Sequence, residues 1–213
     1  MYDLHTHSTF SDGVLIPSEV LRRAYFAGYK GIAITDHADF SNYRLIIDNL
    51  LNLKEKIKNY SSIKFIAGVE ITHVVPELIS ELAELSKKAG ADIVVVHGET
   101  ITEPVAEKTN FLSVISENVD VLAHPGLISE QDAFFAKNNN IMLEITTRKG
   151  HSLTNGHVFK IAKKTGVKMV VNNDAHAPSD FVGIEYARNV VLGCGGSLDD
   201  FESMQKNAEK FFK

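Results

Sequence analysis

The sequence predicts an α/β protein built on a parallel sheet, and three observations carry that prediction. Short runs rich in Val, Ile and Ala recur along the chain, a longer stretch with helical spacing follows each, and the runs are too uniformly apolar to leave one face in water. Strands covered on both faces suit either a closed barrel or a doubly wound open sheet. No Gly-rich dinucleotide or phosphate-loop motif follows the first strand, which lowers the nucleotide-binding version of the second.

Taken in order, the strand candidates are Tyr2 to His5, Gly31 to Thr35, Lys64 to Glu70, Ile93 to His97, Val121 to His124, Ile141 to Thr146 and Lys168 to Asn172. The intervening helices are expected at about Pro17 to Ala27, Arg44 to Tyr60, Glu77 to Ala89, Val105 to Glu117, Glu130 to Asn138, Thr154 to Thr165 and Phe181 to Leu192. A last helix, Leu198 to Phe212, carries Asp199 and Asp200 at its positive N-terminus. With 213 residues, 44% of them hydrophobic and 23% charged, the chain has ordinary globular composition, and one domain over 1–213 is the expectation.

Charge and cysteine usage narrow the function classes. A formal charge of −5 argues against a broad electrostatic grip on nucleic acid, which needs clustered Lys and Arg. The one cysteine, Cys194, excludes an intrachain disulfide framework and reads as a packing residue in a Gly-rich turn. No long apolar segment suits a membrane, and the first strand starts right after Met1, so a cytoplasmic protein without a signal peptide is expected. No motif speaks to oligomeric state.

The informative pattern is where metal-capable residues fall, since almost every strand candidate ends in one. The first gives His5 and His7 with Asp12 close behind, the second Asp36-His37, the third Glu70, the fourth His97, the fifth His124 and the seventh Asp174 and His176. In a parallel barrel all C-terminal strand ends open on one face, so residues scattered along the chain converge there. Side chains two apart share a strand face, which lets His5 join His7 and Asp174 join His176. A single HxH is a weak signal; ligand-type residues at several strand ends are not an accident. Six histidines and three carboxylates suit a multinuclear site of borderline divalent metals, zinc, manganese or iron.

Beside this set, Asp3 and Asp36 are candidates to orient an imidazole from behind. His73 and His157 read as a loop and a packing residue. The sixth strand carries no ligand of its own, but Arg148 and Lys149 follow it and suit a phosphate, Arg148 through its planar fork, and His151 lies just beyond.

The ordered set DLHTHSTFSDG, ITDHAD, AGVEI, VVHGE, LAHPG and NNDAH resembles the PHP (polymerase and histidinol phosphatase) family over nearly the whole chain. The resemblance implies a distorted (β/α)7 TIM-like barrel with up to three metal ions at the C-terminal ends of its strands. It further implies that His5, His7, Glu70 and Asp174 hold one ion, that Glu70 bridges to a second held by His97 and His124, and that Asp12, His37 and His176 hold a third. Many relatives have histidine where this chain has Asp12.

Three divalent ions against three carboxylates leave about three surplus positive charges, which suits a phosphate dianion. Phosphate-monoester hydrolysis requires accelerations up to about 10²¹, whereas one acid or base supplies roughly 10²–10⁴. The expectation is therefore a metal-dependent phosphatase acting on a small phosphorylated substrate, such as histidinol phosphate or a nucleotide or sugar phosphate, with a hydroxide bridging two metals as nucleophile. Glu70, Asp174, Arg148 and His151 make up the expected catalytic set, His151 as a candidate leaving-group acid. The alternatives are a nuclease of the exonuclease-like PHP type, a noncatalytic RNA-binding subunit and an amidohydrolase. The chain carries no basic, aromatic-rich surface for the first, has too full a ligand set for the second, and has no suitable bridging lysine for the third.

Overall fold

The computed structural model describes residues 1–213. Seven parallel strands follow one another in chain order: β1 (Tyr2–Asp3), β2 (Gly31–Ala38), β3 (Lys64–Ile71), β4 (Ile93–His97), β5 (Val121–Ala123), β6 (Met142–Thr146) and β7 (Met169–Asn172). Eight helices flank them: α1 (Pro17–Phe26), α2 (Tyr43–Ile57), α3 (Ile79–Lys88), α4 (Thr109–Val114), α5 (Glu130–Asn138), α6 (Asn155–Thr165), α7 (Ile184–Gly193) and α8 (Leu198–Glu209). A doubly wound sheet reverses its strand order at a switch point. This order never reverses, and the fold is a nearly closed TIM-like barrel.

The seam between first and last strands closes just beyond their ends. Thr6 bridges to Ala175, the His7 amide donates to the Ala175 carbonyl at 2.8 Å, and the Asp174 amide donates to the His5 carbonyl at 3.0 Å. β1 is shorter than its sequence pattern because the Asp3 carboxylate takes the His5 amide at 3.0 Å. That local bond removes a donor from the ladder and resets the strand's alternation.

Alternating residues divide the interior in two. Ala33, Ile66, Val95, Val121 and Val170 pack with Leu4 inside the barrel. Ile32, Ile34, Val94, Val96 and Leu143 face the helices instead. This double burial explains the unbroken apolar runs of the strands. The floor of the barrel comes from the far end of the chain. Helix α8 opens with a reciprocal cap, Ser197 Oγ accepting the Asp200 amide at 3.2 Å while Asp200 Oδ2 accepts the Ser197 amide at 2.9 Å. After it, Phe212 enters the inner core beside Tyr2, with ring centroids 5.3 Å apart. Gly31 makes room for it, since a Cβ there would lie 2.8 Å from the Phe212 ring.

Two helices are shorter than their sequence periodicity. Lys108 adopts a left-handed φ of 72°, so α4 starts at Thr109 rather than Val105. A 3-10 turn, Pro178–Asp180, occupies the chain ahead of α7, where Asp180 Oδ2 takes the His176 and Ala177 amides. No helix is long and apolar enough to cross a membrane.

Candidate metal centre

Counting by twos from the inner core upward leads directly into the site. Ala33 is followed by Thr35 and His37, Ile66 by Gly68 and Glu70, Val95 by His97, Met142 by Glu144, and Val170 by Asn172 and Asp174. The layer above the apolar core is therefore mostly polar, with Gly68 and Ala123 as the small exceptions. His5 and His7 reach it because the Asp3 turn shifts β1 out of strict alternation, and His124 because its φ of 25° turns it off the end of β5. Two glycines allow the loops there to touch. A Cβ on Gly98 would lie 2.3 Å from the Ala123 carbonyl oxygen, and one on Gly126 1.8 Å from that of Glu99.

The nine side chains singled out from the sequence form one contiguous cluster. Glu70 is at its centre, wholly buried: its Oε1 lies 3.3 Å from His5 Nε2 and 3.6 Å from His124 Nε2, and its Oε2 lies 2.7 Å from His37 Nδ1 and 3.6 Å from His7 Nε2. Asp174 faces His7 Nε2 at 3.2 Å and His5 Nε2 at 3.7 Å. On the outer side Asp12 Oδ1 sits 3.2 Å from His176 Nε2 and 3.5 Å from His37 Nε2, with 57% of its side chain exposed. The His97 and His124 rings meet edge to face at 4.5 Å.

This donor set fits divalent cations. Glu70 Oε1, His7 Nδ1 and His124 Nδ1 are buried without any hydrogen-bond partner. Such orphans are costly unless something else satisfies them. His5 Nε2 and His7 Nε2 stand 3.1 Å apart, close to the roughly 3.3 Å expected for two ligand atoms about 2.0–2.1 Å from one tetrahedral ion. Four groups of side chains can each gather around a point: His5, His7 and Asp174; His7, Asp12, His37 and His176; His97, His124 and His151; and His5, His124 and Glu144.

Charge is finely divided here. Burial pushes Glu70 up, but His5 and His37 beside it outweigh burial and hold it well below the carboxylate range. Burial lowers His5, yet Glu70, Glu144 and Asp174 raise it well above an ordinary imidazole. For His7, burial and the neighbouring His37 and His176 act together and depress it strongly. Asp12, although burial raises it, is drawn to about 2 by His176 and His37.

The PHP domain model matches residues 3–171, most of the chain. The chain belongs to the PHP family. It is 50% identical over 203 residues to an uncharacterized protein of Methanocaldococcus jannaschii, covering 95% of this chain and 93% of that one. It is 30% identical over 219 residues to a probable phosphatase of Thermoanaerobacter pseudethanolicus, covering 92% and 87%. The DNA polymerase/3'-5' exonuclease PolX of Bacillus subtilis is 29% identical over 198 residues, covering 82% of this chain but only 34% of that protein. Among solved structures, a two-domain protein of Bacteroides vulgatus containing a predicted PHP-like metal-dependent phosphoesterase superposes with a TM-score of 0.51 at 16% identity, over 99% of this chain and 62% of its own. The A. niger ochratoxinase superposes with a TM-score of 0.60 at 13% identity, over 100% and 71%. Both likenesses show the fold.

Within this PHP domain the residues expected to meet phosphate are placed unequally. Arg148 lies at the rim, where its Nη1 donates to the Asp174 carbonyl at 3.0 Å and lies 3.5 Å from Asp180 Oδ2. Part of its fork is thus engaged by the site's own wall. Lys149 is exposed and makes no ion pair. His151 is 7% exposed and stacks on His124 at 4.2 Å, with burial and His124 lowering it to about 4. His157 Nε2 donates to the Ile128 carbonyl at 2.8 Å, away from the cluster. His73 is a loop residue with a left-handed φ of 53°.

Three functional neighbours escaped the sequence. Glu144 of β6 is wholly buried and its Oε2 binds His5 Nδ1 at 2.8 Å and Asn172 Nδ2 at 2.8 Å. It does the work expected of Asp3 and Asp36, which orient no imidazole. Asp3 holds the His5 and Asn173 amides, and Asp36 holds Ser8 and Ser11. Thr72 Oγ1 meets His37 Nδ1 at 2.7 Å. Glu103, on the loop after β4, faces His97 and His151 and is held at about 2, chiefly by the bond from His97.

Proposed function

We propose that this PHP domain, as one unit of residues 1–213, is a metal-dependent phosphoesterase that hydrolyses small phosphomonoesters. The observation that carries the reading is the central Glu70: one buried carboxylate within 3.6 Å of four imidazoles from β2, β5 and the segment after β1, with an oxygen left unpartnered. His5, His7, Glu70 and Asp174 would hold one ion, Glu70, His97 and His124 a second, and Asp12, His37 and His176 a third. Zinc, manganese and iron all suit imidazole with carboxylate. When bound, such cations activate water and neutralise the charge on phosphoryl oxygens.

The chain's own residues do the rest. Glu144 fixes the His5 ring, so His5 presents Nε2 upward. Arg148, 30% exposed, keeps part of its guanidinium free at the rim for the phosphate, and Lys149 adds a mobile positive charge nearby. The barrel wall excludes water below the site, because the layer beneath is the apolar inner core. Asp12, Asp39 and Glu103 ring one side of the mouth, a lining that disfavours a long polyanion and supports a small substrate over a nucleic acid. The single cysteine and the lack of a spanning helix are in keeping with a cytoplasmic location.

The exonuclease named among the relatives supports a second reading, a nuclease. Both are tested by metal analysis of the purified chain followed by phosphate release from phosphorylated metabolites and nucleotide release from single-stranded DNA, with and without chelator. Chelator-sensitive turnover of small esters with none of DNA is expected; the reverse preference overturns the phosphomonoester assignment. Glu70→Gln is expected to abolish turnover in a folded barrel, and a fully active, metal-replete variant refutes its central role.

A further inference from the structure

We propose that Glu103 is an additional ligand of the ion held by His97 and His124, delivered from the loop after β4 and oriented by His151. This rests on the metal-dependent reading above and assigns a residue that the ligand motifs leave out.

His97 Nδ1 lies 3.2 Å from the Gly98 carbonyl oxygen, which only accepts, so Nδ1 keeps its proton and Nε2 is the nitrogen that gives its lone pair to an ion. Facing that lone pair at 3.1 Å is Glu103 Oε2. A carboxylate oxygen is an acceptor too, so once that lone pair is given to an ion the same ion lies within reach of Glu103 Oε2. The His97 ring is 3% exposed. The spacing is close to the roughly 3.3 Å expected of two atoms coordinating one tetrahedral ion. A second observation comes from the neighbouring ring: His124, 2% exposed and edge to face with His97 at 4.5 Å, has a buried Nδ1 with no partner at all.

His151 supplies the orientation. Its Nδ1 meets Thr100 Oγ1 at 2.8 Å and Thr102 Oγ1 at 3.1 Å. With Nδ1 taking the proton of one hydroxyl, the ring proton sits on Nε2, which faces Glu103 Oε1 at 3.3 Å. One carboxylate oxygen thus meets a donor while the other is turned to His97, the arrangement by which outer hydrogen bonds orient a coordinating carboxylate. His151 stacks on His124 with ring planes 16° apart, and Nε2 is the nitrogen it turns toward Glu103. The loop itself is fastened: the Glu99 amide donates to Asn110 Oδ1 at 2.9 Å, and Glu99 Oε1 accepts the Asn110 amide at 2.8 Å. The Glu103 side chain is 38% exposed and approaches from the solvent side, so it is the ligand best placed to yield to an arriving substrate.

The test titrates Zn²⁺ and Co²⁺ into the metal-stripped full chain against a chromogenic chelator, for the wild type, Glu103→Ala, Glu103→Gln, His97→Ala and the Glu103→Ala/His97→Ala double variant. Both Glu103 variants are expected to weaken one equivalent of metal by about tenfold or more, to leave the other equivalents unchanged, and to shift the Co²⁺ visible absorption. In the His97→Ala background, removing Glu103 is expected to add less than about twofold, because both residues serve one ion. Unaltered affinity for every equivalent in both Glu103 variants overturns the assignment while leaving the phosphoesterase reading intact, as does a full additional loss in the double variant. A wild type that binds no cation overturns both.

Discussion

Replacing Glu144 with Gln isolates the carboxylate that stands behind the site. The glutamine keeps the size and shape of the side chain, and its carbonyl oxygen can still take the bonds from His5 Nδ1 and Asn172 Nδ2, both 2.8 Å in the native protein. What disappears is the negative charge that polarises His5. A hydrogen bond to a charged group contributes about 1.5–3 kcal/mol against about 0.5–1.5 for a neutral one, a difference of about 1 kcal/mol or more. Loss of such an outer partner typically lowers metal affinity about 10–100-fold, or about 1.4–2.8 kcal/mol. The two routes agree, and the variant is expected to bind its tightest equivalent of Zn²⁺ at least about tenfold more weakly in chelator competition. The amide nitrogen takes the place of Oε1, which already lacks a partner; the resulting loss of folding stability, about 1–3 kcal/mol, is measured separately by urea unfolding of the metal-free protein. Zn²⁺ affinity within twofold of the wild type would show that Glu144 does not tune His5.

Further expectations concern the scaffold. Phe212→Ala removes the floor of the inner core and should cost about 3 kcal/mol or more in urea unfolding, with metal stoichiometry unchanged because the site lies at the other mouth. Asp200 has its carboxyl lowered by Lys163 first and by Ser197 next. A depressed carboxylate contributes stability above its unfolded value, near 3.8, and loses it as pH falls through the lower folded value, so Asp200→Asn should flatten the acid limb of Tm against pH; an unchanged limb counts against the pairing. Burial pushes the Cys194 thiol up to about 11, leaving about one thiolate in a thousand at pH 8. Iodoacetamide should therefore modify it slowly, with the rate still climbing about tenfold per pH unit at pH 9, whereas a plateau there would contradict the buried-thiol reading.

The sequence was most legible where chemistry and periodicity coincide. Each of the seven apolar runs is a strand, and the residues at their ends meet as the parallel topology requires. Strand β1 ends two residues short of its sequence pattern, because nothing in its apolar alternation betrays that Asp3 folds back onto the His5 amide. Helix α4 lost its first turn to a left-handed Lys108, a backbone choice that propensity does not favour and only tertiary context imposes. The run Ile141–Thr146 reads as core, which hides Glu144. A signal was present: a glutamate in mid-strand, buried on both sides, must have a cationic or imidazole partner, since burying a bare carboxylate is prohibitive. Glu103 had no such signal, for a glutamate in a loop is ordinarily solvated and its reach to His97 depends on how that loop is fastened.

The Phe212 plug has a consequence for how the molecule assembles. The strand that begins the barrel is the second residue of the chain, yet its partners at the seam lie near residue 175, and Tyr2 is tied by its amide to Gln205 and by its hydroxyl to Glu209. Contacts so remote in sequence are slow to form. During synthesis the growing polypeptide would therefore hold six or seven strands with an unsealed base until residues 198–212 emerge, and chaperone dependence or aggregation of nascent chains should fall sharply once that last stretch clears the ribosome.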